Sequence, residues 1–241
     1  MGEVILRRLG MPVKELKTSS GKVIAYSIFT DPHSVTLFTA HLDTVHQTDG
    51  INSVIFDEEL EWMWKEDGQP LGADDGAGIW ILYNMIKAGV SGSYLFTVGE
   101  ECGGVGAKAV AAHHSKWLAN FGRAIAFDRM GTTSVITHQR HGRCCSDQFA
   151  IALSAALTEG MAQSDYLPEC IYQPDDGGVY TDTAEFTNLI PECTNISVGY
   201  ANAHTGREEL DVGYLKGLLA TCLMVVWNTL PIGRDPATVA D

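Results

Sequence analysis

Basic residues are scarce in this chain. Lys and Arg number 16 against 30 Asp and Glu, a formal charge of -14 over 241 residues. Such a surface repels phosphate backbones, so nucleic acid is not an expected partner. Long hydrophobic runs are also missing. No stretch approaches the roughly 18 apolar residues that cross a bilayer. The longest contender, Leu218 to Leu230, is short and contains Thr221 and Asn228, so no membrane partner is expected. The start, Met1-Gly2-Glu3-Val4, has no basic region followed by an apolar run; no secretory leader is read and a cytoplasmic location is expected. The six cysteines, Cys102, Cys144, Cys145, Cys170, Cys193 and Cys222, show no CxxC spacing. This argues against a thiolate zinc site and for reduced thiols. Internal repeats, low-complexity segments and linkers are absent too.

What is present suits a sizeable core. Apolar residues make up 45% of the chain, a globular composition, and the length fits one large domain over residues 1–241. Buried-type strands are expected at Lys22 to Phe29, Val35 to Ala40, Tyr94 to Val98, Arg123 to Phe127 and Thr194 to Val198. Weaker ones are expected at Ser134 to Thr137 and in a hairpin, Val54 to Phe56 with Glu61 to Trp64. Helices are expected at Ile79 to Ala88, Val105 to Ala112, Ser146 to Glu159 and Leu210 to Thr229, with a short one at Thr183 to Leu189. Val4 to Leu9 reads as a short helix or strand, and Asp175 to Gly178 as a loop. The alternation predicts an α/β fold: a central mixed, largely parallel β-sheet sandwiched by helices.

The chemistry concentrates in Thr97-Val98-Gly99-Glu100-Glu101-Cys102-Gly103-Gly104, where a strand gives way to a loop. Open α/β sheets bind ligands outside such carboxyl ends. Neighbouring side chains on an extended chain point opposite ways, so Glu100 and Glu101 are suited to different jobs. Acids or histidines recur at other strand ends: His41, Asp74, Asp128 and His204. Each alone reads as a core histidine or a helix cap. Gathered at one sheet edge they would repel unless protons or cations compensate. Nitrogen and oxygen donors suit zinc, with manganese or cobalt as alternatives.

Five motifs occur in an order similar to that of the co-catalytic di-zinc exopeptidases: His41-Leu42-Asp43-Thr44-Val45, Gly72-Ala73-Asp74-Asp75-Gly76-Ala77-Gly78, Glu100-Glu101-Cys102-Gly103, Asp128, and Asn202-Ala203-His204-Thr205. That superfamily includes bacterial leucyl aminopeptidases, peptidase T and related carboxypeptidases, with a phosphorylase/hydrolase-like fold. The resemblance runs from His41 to Leu215. It implies two divalent ions: His41 and Asp128 on one, Glu101 and His204 on the other, and Asp74 bridging. It further implies that Asp43 orients the His41 ring, that Glu100 is the general base, and that Tyr180 steadies the tetrahedral oxyanion. Asp75 is expected to support the site or cap the Ile79 helix rather than ligate, and Thr181 and Asp182 to cap the following helix or line the substrate pocket. His46 stands where many relatives have proline.

Many relatives insert a lid or dimerisation domain between the equivalents of Asp128 and His204. Here that interval must also hold a strand, two helices and the Tyr180 loop, so a lid of about 100 residues does not fit. The leading expectation is an aminopeptidase acting on short peptides. A deacylase or carboxypeptidase on N-acyl amino acids is the alternative, and a non-catalytic metal- or peptide-binding relative is a third. Arg129 and Arg207 sit beside the expected ligands, where either a substrate carboxylate or a simple salt bridge would pair them. His138 and His141 flank a loop from which they could reach substrate. His113 and His114 are expected in solvent, and Trp62, Trp64 and Trp80 in packing. An oligomer is possible but nothing in the sequence argues for one.

Overall fold

The middle of the sheet is built from strands with almost no polar side chain to expose. In chain order, helix α1 (Gly2–Arg7) leads to strands β1 (Lys14–Lys17), β2 (Val23–Phe29) and β3 (Thr36–His41). The hairpin β4 (Ile55–Asp57) and β5 (Trp62–Trp64) precedes helix α2 (Ala73–Lys87) and strand β6 (Ser93–Thr97). Helices α3 (Val105–His113) and α4 (Ser115–Leu118) follow, then β7 (Arg123–Arg129), β8 (Ser134–Ile136), β9 (His138–Gln139) and β10 (Gly142–Arg143). Helix α5 (Asp147–Gln163) and β11 (Gln173–Asp175) lead to a 3₁₀ turn at Asp182–Phe186 and β12 (Glu192–Ser197). The chain closes with β13 (Tyr200–Ala201), β14 (Glu209–Asp211), helix α6 (Val212–Met224) and a 3₁₀ turn at Trp227–Thr229. This computed structural model describes residues 2–46, 50, 53–140, 142–164, 166 and 169–238, with the side chains of residues 2–4 left out.

The main sheet has eight strands in the order β1-β2-β6-β3-β7-β12-β8-β11. Its centre, β6-β3-β7-β12, is parallel, while β1, β2 and β6 pair antiparallel. A second, antiparallel sheet, β13-β14-β5-β4, lies outside it. Alternation along each strand feeds two cores. Phe38, Phe96, Ile125 and Phe127 pack with Ile81, Leu82 and Met85 of α2, Phe149 and Leu153 of α5, and Leu218 of α6. Leu37, Leu95, Ala124 and Cys193 face the other way, onto Val110 of α3, Leu118 of α4 and Phe186. Each such buried side chain contributes about 1.5–3 kcal/mol. The sheet is therefore a rigid floor with helices on both faces.

Several boundaries differ from the sequence reading. Helix α2 begins at Ala73 rather than Ile79, although Asp74 and Asp75 have non-helical backbone angles (φ -85, ψ 100 and φ -113, ψ 37). Regular helical geometry therefore starts only after Asp75, still ahead of the expected Ile79. The helix expected from Leu210 begins at Val212, because Leu210 pairs in β14 with Met63, and Asp211 caps α6 by accepting from Tyr214 N at 2.8 Å. It ends at Met224. The loop expected at Asp175 begins inside β11, paired parallel to β8. Short β1, β9, β10, β13 and β14 carry too few residues to show a period. Among the described residues, no helix is long and apolar enough to cross a membrane, and all six cysteines are free thiols.

Candidate metal centre

Parallel strands end at one edge, so β3, β6, β7 and β12 deliver their carboxyl ends together. Register pairs His41 with Thr97 and Thr39 with Ala126. His41 closes β3 and is buried. Its Nδ1 lies 2.9 Å from the Asp43 carbonyl, which leaves Nε2 aimed at Asp74 Oδ1 at 3.0 Å and Asp128 Oδ1 at 3.6 Å. The other Asp74 oxygen, Oδ2, lies 3.0 Å from His204 Nε2, and that nitrogen is 2.9 Å from Glu101 Oε1. Asp74 thus stands between two histidine–carboxylate pairs.

Each donor is held by backbone or by a neighbouring side chain. Gly78 lets α2 press against the sheet: a Cβ there would lie 2.1 Å from the Phe127 carbonyl oxygen. Asp75 is fully buried; its Oδ2 accepts from His41 N at 2.9 Å and its Oδ1 from Gly78 N at 3.1 Å, so it ties helix to strand. His204 and Asn202 sit in the left-handed region (φ 63 and 56). Non-glycine residues adopt this only when the surroundings insist. Thr205 Oγ1 donates to the Asn202 carbonyl at 2.7 Å and fixes that turn.

Asp43 orients the His41 ring through its backbone carbonyl rather than its carboxylate. Its carboxylate is 3.7 Å from His41 Nδ1, and the closer carbonyl orients the ring. The carboxylate instead accepts from Gly99 N, Glu100 N and Glu101 N at 2.7, 3.2 and 3.1 Å. It pins the loop that carries both glutamates. Of the two roles expected for Thr181 and Asp182, capping does not occur, since neither side chain caps the 3₁₀ turn. Thr181 Oγ1 donates to Asp128 Oδ2 at 2.6 Å, and Asp182 accepts a short hydrogen bond from Thr97 Oγ1. His46 spans the turn where proline was expected, with Nδ1 2.7 Å from Thr44 Oγ1 and Nε2 2.8 Å from the Pro70 carbonyl.

The site opens into a cleft of about 260 Å³ lined by Asp74, Glu100, Asp128 and His204 on the acidic side. Tyr180, Gln139 and Arg129 also line it; Arg207 and His138 do not. His138 Nδ1 is 2.9 Å from Thr137 Oγ1, and His141 lies outside the described residues. Gln139, inside a strand rather than a loop, accepts from Thr181 N at 3.2 Å and donates to Thr183 at 3.1 Å. Tyr180 lies over Gly104, whose missing Cβ would clash with the phenol oxygen, and donates to Glu185 Oε1 at 3.1 Å. His113 is exposed, while His114 Nε2 is 3.0 Å from the Lys17 carbonyl. Trp62 and Trp64 are half-buried in the hairpin, and Trp80 is exposed.

Carboxylates outnumber the cationic side chains in this cluster. Burial, then the nearby Asp128 carboxylate, pushes Glu100 up to about 8. Burial raises Asp128 and Glu101, and drives Asp75 well above the ordinary carboxylate range. Burial alone would lower His41, but its bonds to Asp128 and Asp74 carry it well above its ordinary value. The donors fit divalent cations. Glu101 Oε1 is buried without a hydrogen bond despite standing 2.9 Å from a histidine nitrogen. Close approach without hydrogen-bond alignment is what donors converging on a shared cation show. Donor atoms of His41, Asp74 and Glu101 all lie within 4.8 Å of one another, as do those of His41, Asp75 and Asp128. Imidazole with carboxylates is a zinc-type set. Among the described residues the Glu100 carboxylate makes no hydrogen bond or ion pair, so it is spare.

Supports that the sequence did not single out complete the site. Glu208 is buried, accepting from Asp74 N at 3.0 Å and Gly72 N at 3.1 Å. Asn195 accepts from Asp128 N and donates to its carbonyl, both at 2.9 Å, and Tyr200 donates to Asp128 Oδ1 at 3.3 Å. The one sequence signal for Glu208 was a second Glu-Glu pair, four residues past His204.

Residues 23–211 match Peptidase family M28. Over 134 residues the chain is 33% identical to the uncharacterized protein YqjE of Bacillus subtilis; that match takes in 50% of this chain and about a third (34%) of YqjE. The fold is similar to that of aminopeptidase PepT from Bacillus cereus, at 15% identity over 92% of this chain and 90% of that one, with TM-score 0.68. A tripeptidase from Staphylococcus aureus gives 14% identity over 92% and 89%, with TM-score 0.68. The TET1 peptidase of Pyrococcus horikoshii gives 16% over 92% and 93%, with TM-score 0.60. At these identities the likeness is one of fold.

Proposed function

The chain belongs to peptidase family M28, and from that premise we propose that it is a two-metal aminopeptidase acting on short peptides. One observation carries the reading. Asp74 presents one oxygen to His41 and the other to His204, each at 3.0 Å, with Glu100 unengaged beside them. His41 and Asp128 would hold one ion, Glu101 and His204 the other, and Asp74 both; zinc suits this set. Such ions supply an acidified water and a polarised scissile carbonyl.

The chain's own residues do the rest. Glu100 accepts the attacking water's proton and passes it to the leaving amine. Its pKa, raised to about 8 by burial and by Asp128, falls when cations offset those carboxylates, which leaves it ionised as a base. Asp43 holds the backbone amides on which Glu100 rides. Tyr180 donates to the developing oxyanion; burial raises its phenol, so the proton stays on. The acidic cleft attracts a protonated amino terminus, and the similar folds named above include an aminopeptidase and a tripeptidase.

The test is a panel of aminoacyl anilides, dipeptides and N-acetyl amino acids, assayed after chelation and after return of zinc, cobalt or manganese. The expected result is metal-restored cleavage of substrates with a free amine. Cleavage confined to N-acetyl substrates would contradict the aminopeptidase assignment.

A further inference from the structure

Arg129 ends β7, one residue beyond Asp128. It is the one lysine or arginine among the described residues lining the cleft. Its guanidinium is poorly satisfied. Nη2 donates to the Gly177 carbonyl at a long 3.3 Å and stands 3.7 Å from Asp175 Oδ2. Nε is buried and meets no hydrogen-bond acceptor among the described residues. Asp175 is already engaged, its Oδ2 accepting from Ser134 Oγ at 2.6 Å and its Oδ1 from Gly177 N at 2.7 Å. A simple salt bridge therefore does not account for this arginine: among the described residues, only Nη2 has an acceptor.

A planar fork with open donors matches a carboxylate, which it binds through two parallel hydrogen bonds. Elsewhere the cleft wall carries Asp74, Glu100 and Asp128, none of which pairs with a carboxylate. Apart from the proposed ions, Arg129 is the charged group that a substrate carboxylate meets there. Adjacent Cα atoms are about 3.8 Å apart, so Arg129 is rooted beside a proposed metal ligand. An extended chain advances about 3.4 Å per residue. A carboxylate held by Arg129 would therefore belong to a residue near the scissile bond, which favours short substrates.

We infer that Arg129 anchors a free substrate carboxylate, making this an enzyme for very short substrates that end in an acid, dipeptides first. The inference rests on the exopeptidase reading above and deepens it. An N-acyl amino acid presents the same carboxylate, and the assay separates the two sources.

The test uses the metal-loaded full chain and compares kcat/KM for a dipeptide, its C-terminal amide, N-acetyl-leucine and N-acetyl-leucinamide. Wild type should favour acid over amide by about tenfold or more, the scale of a charge-assisted pair. In Arg129→Gln the ratio should fall to about one, with the change in KM. Arg129→Lys should keep part of the preference, and it carries the test if Arg129→Gln melts early. A wild-type ratio near one, or a ratio that Arg129→Gln leaves intact, overturns the inference. Arginine-dependent turnover of N-acetyl-leucine alone keeps the anchor and assigns it to N-acyl amino acids. If wild type cleaves nothing, the exopeptidase reading fails. Calorimetry with a reduced-bond dipeptide and its amide then decides the anchor: tighter arginine-dependent binding of the acid supports it, and equal binding refutes it.

Discussion

Replacing Glu208 with alanine removes one buried carboxylate and strands two backbone donors. Asp74 N is buried and loses its acceptor outright, while Gly72 N, half-buried, can recover water. An unmet buried donor costs about 1–3 kcal/mol, so the two together cost about 3 kcal/mol. For a domain of this size each kcal/mol moves the melting point by about 2–4 °C, which gives a fall of about 6–12 °C. The loss is also local, because the loop it frees carries the bridging aspartate. Zinc affinity should fall by about 10–100-fold, as for other groups that support metal ligands. Glu208→Gln keeps one acceptor but turns an amide N–H₂ toward the second backbone N–H, so it should lie between wild type and alanine. Differential scanning calorimetry with competitive zinc titration reads both effects. An alanine variant with wild-type melting and wild-type zinc affinity would refute the assignment of Glu208 as the clamp on Asp74.

Two further changes probe the supports. Asp43→Ala removes the acceptor of three loop amides; kcat should fall by about 10–100-fold with zinc stoichiometry retained, and loss of zinc with unchanged kcat per bound ion would contradict this. Asp182 is buried, and burial chiefly raises its pKa to about 7 from 3.8. The folded state therefore binds the proton more tightly than the unfolded chain. Stability is highest below about pH 4 for this group and declines as pH rises to about 7, by about 4 kcal/mol at 1.36 kcal/mol per unit. Asp182→Asn should flatten that slope in melts of metal-free protein between pH 4 and 8, and an unchanged slope would assign it to other groups.

The strong strands were legible because burial on both faces leaves a continuous apolar signal: Thr36 to Ala40 and Arg123 to Phe127 leave little else to read. Motif order named the residues that meet, His41, Asp74, Glu101, Asp128 and His204, since each sits where a strand or a following turn delivers it. The supports were not legible in the same way. Glu208, Asn195 and Thr181 act through one or two hydrogen bonds each, across 53 to 136 positions of chain, and no local pattern encodes such distances. Asp43 shows the other limit. The family resemblance placed it beside the ring, but which of its oxygens faces the ring depends on the Gly99–Glu101 loop folding over it.

Turnover by Glu100→Gln at full metal loading tests the account most directly. The amide keeps the shape of the side chain, leaves the ligand set alone and cannot take a proton. The account predicts two ions per chain, as in wild type, with kcat down by about 10²–10⁴-fold, the usual contribution of a general base. Wild-type kcat in that fully loaded variant would contradict it.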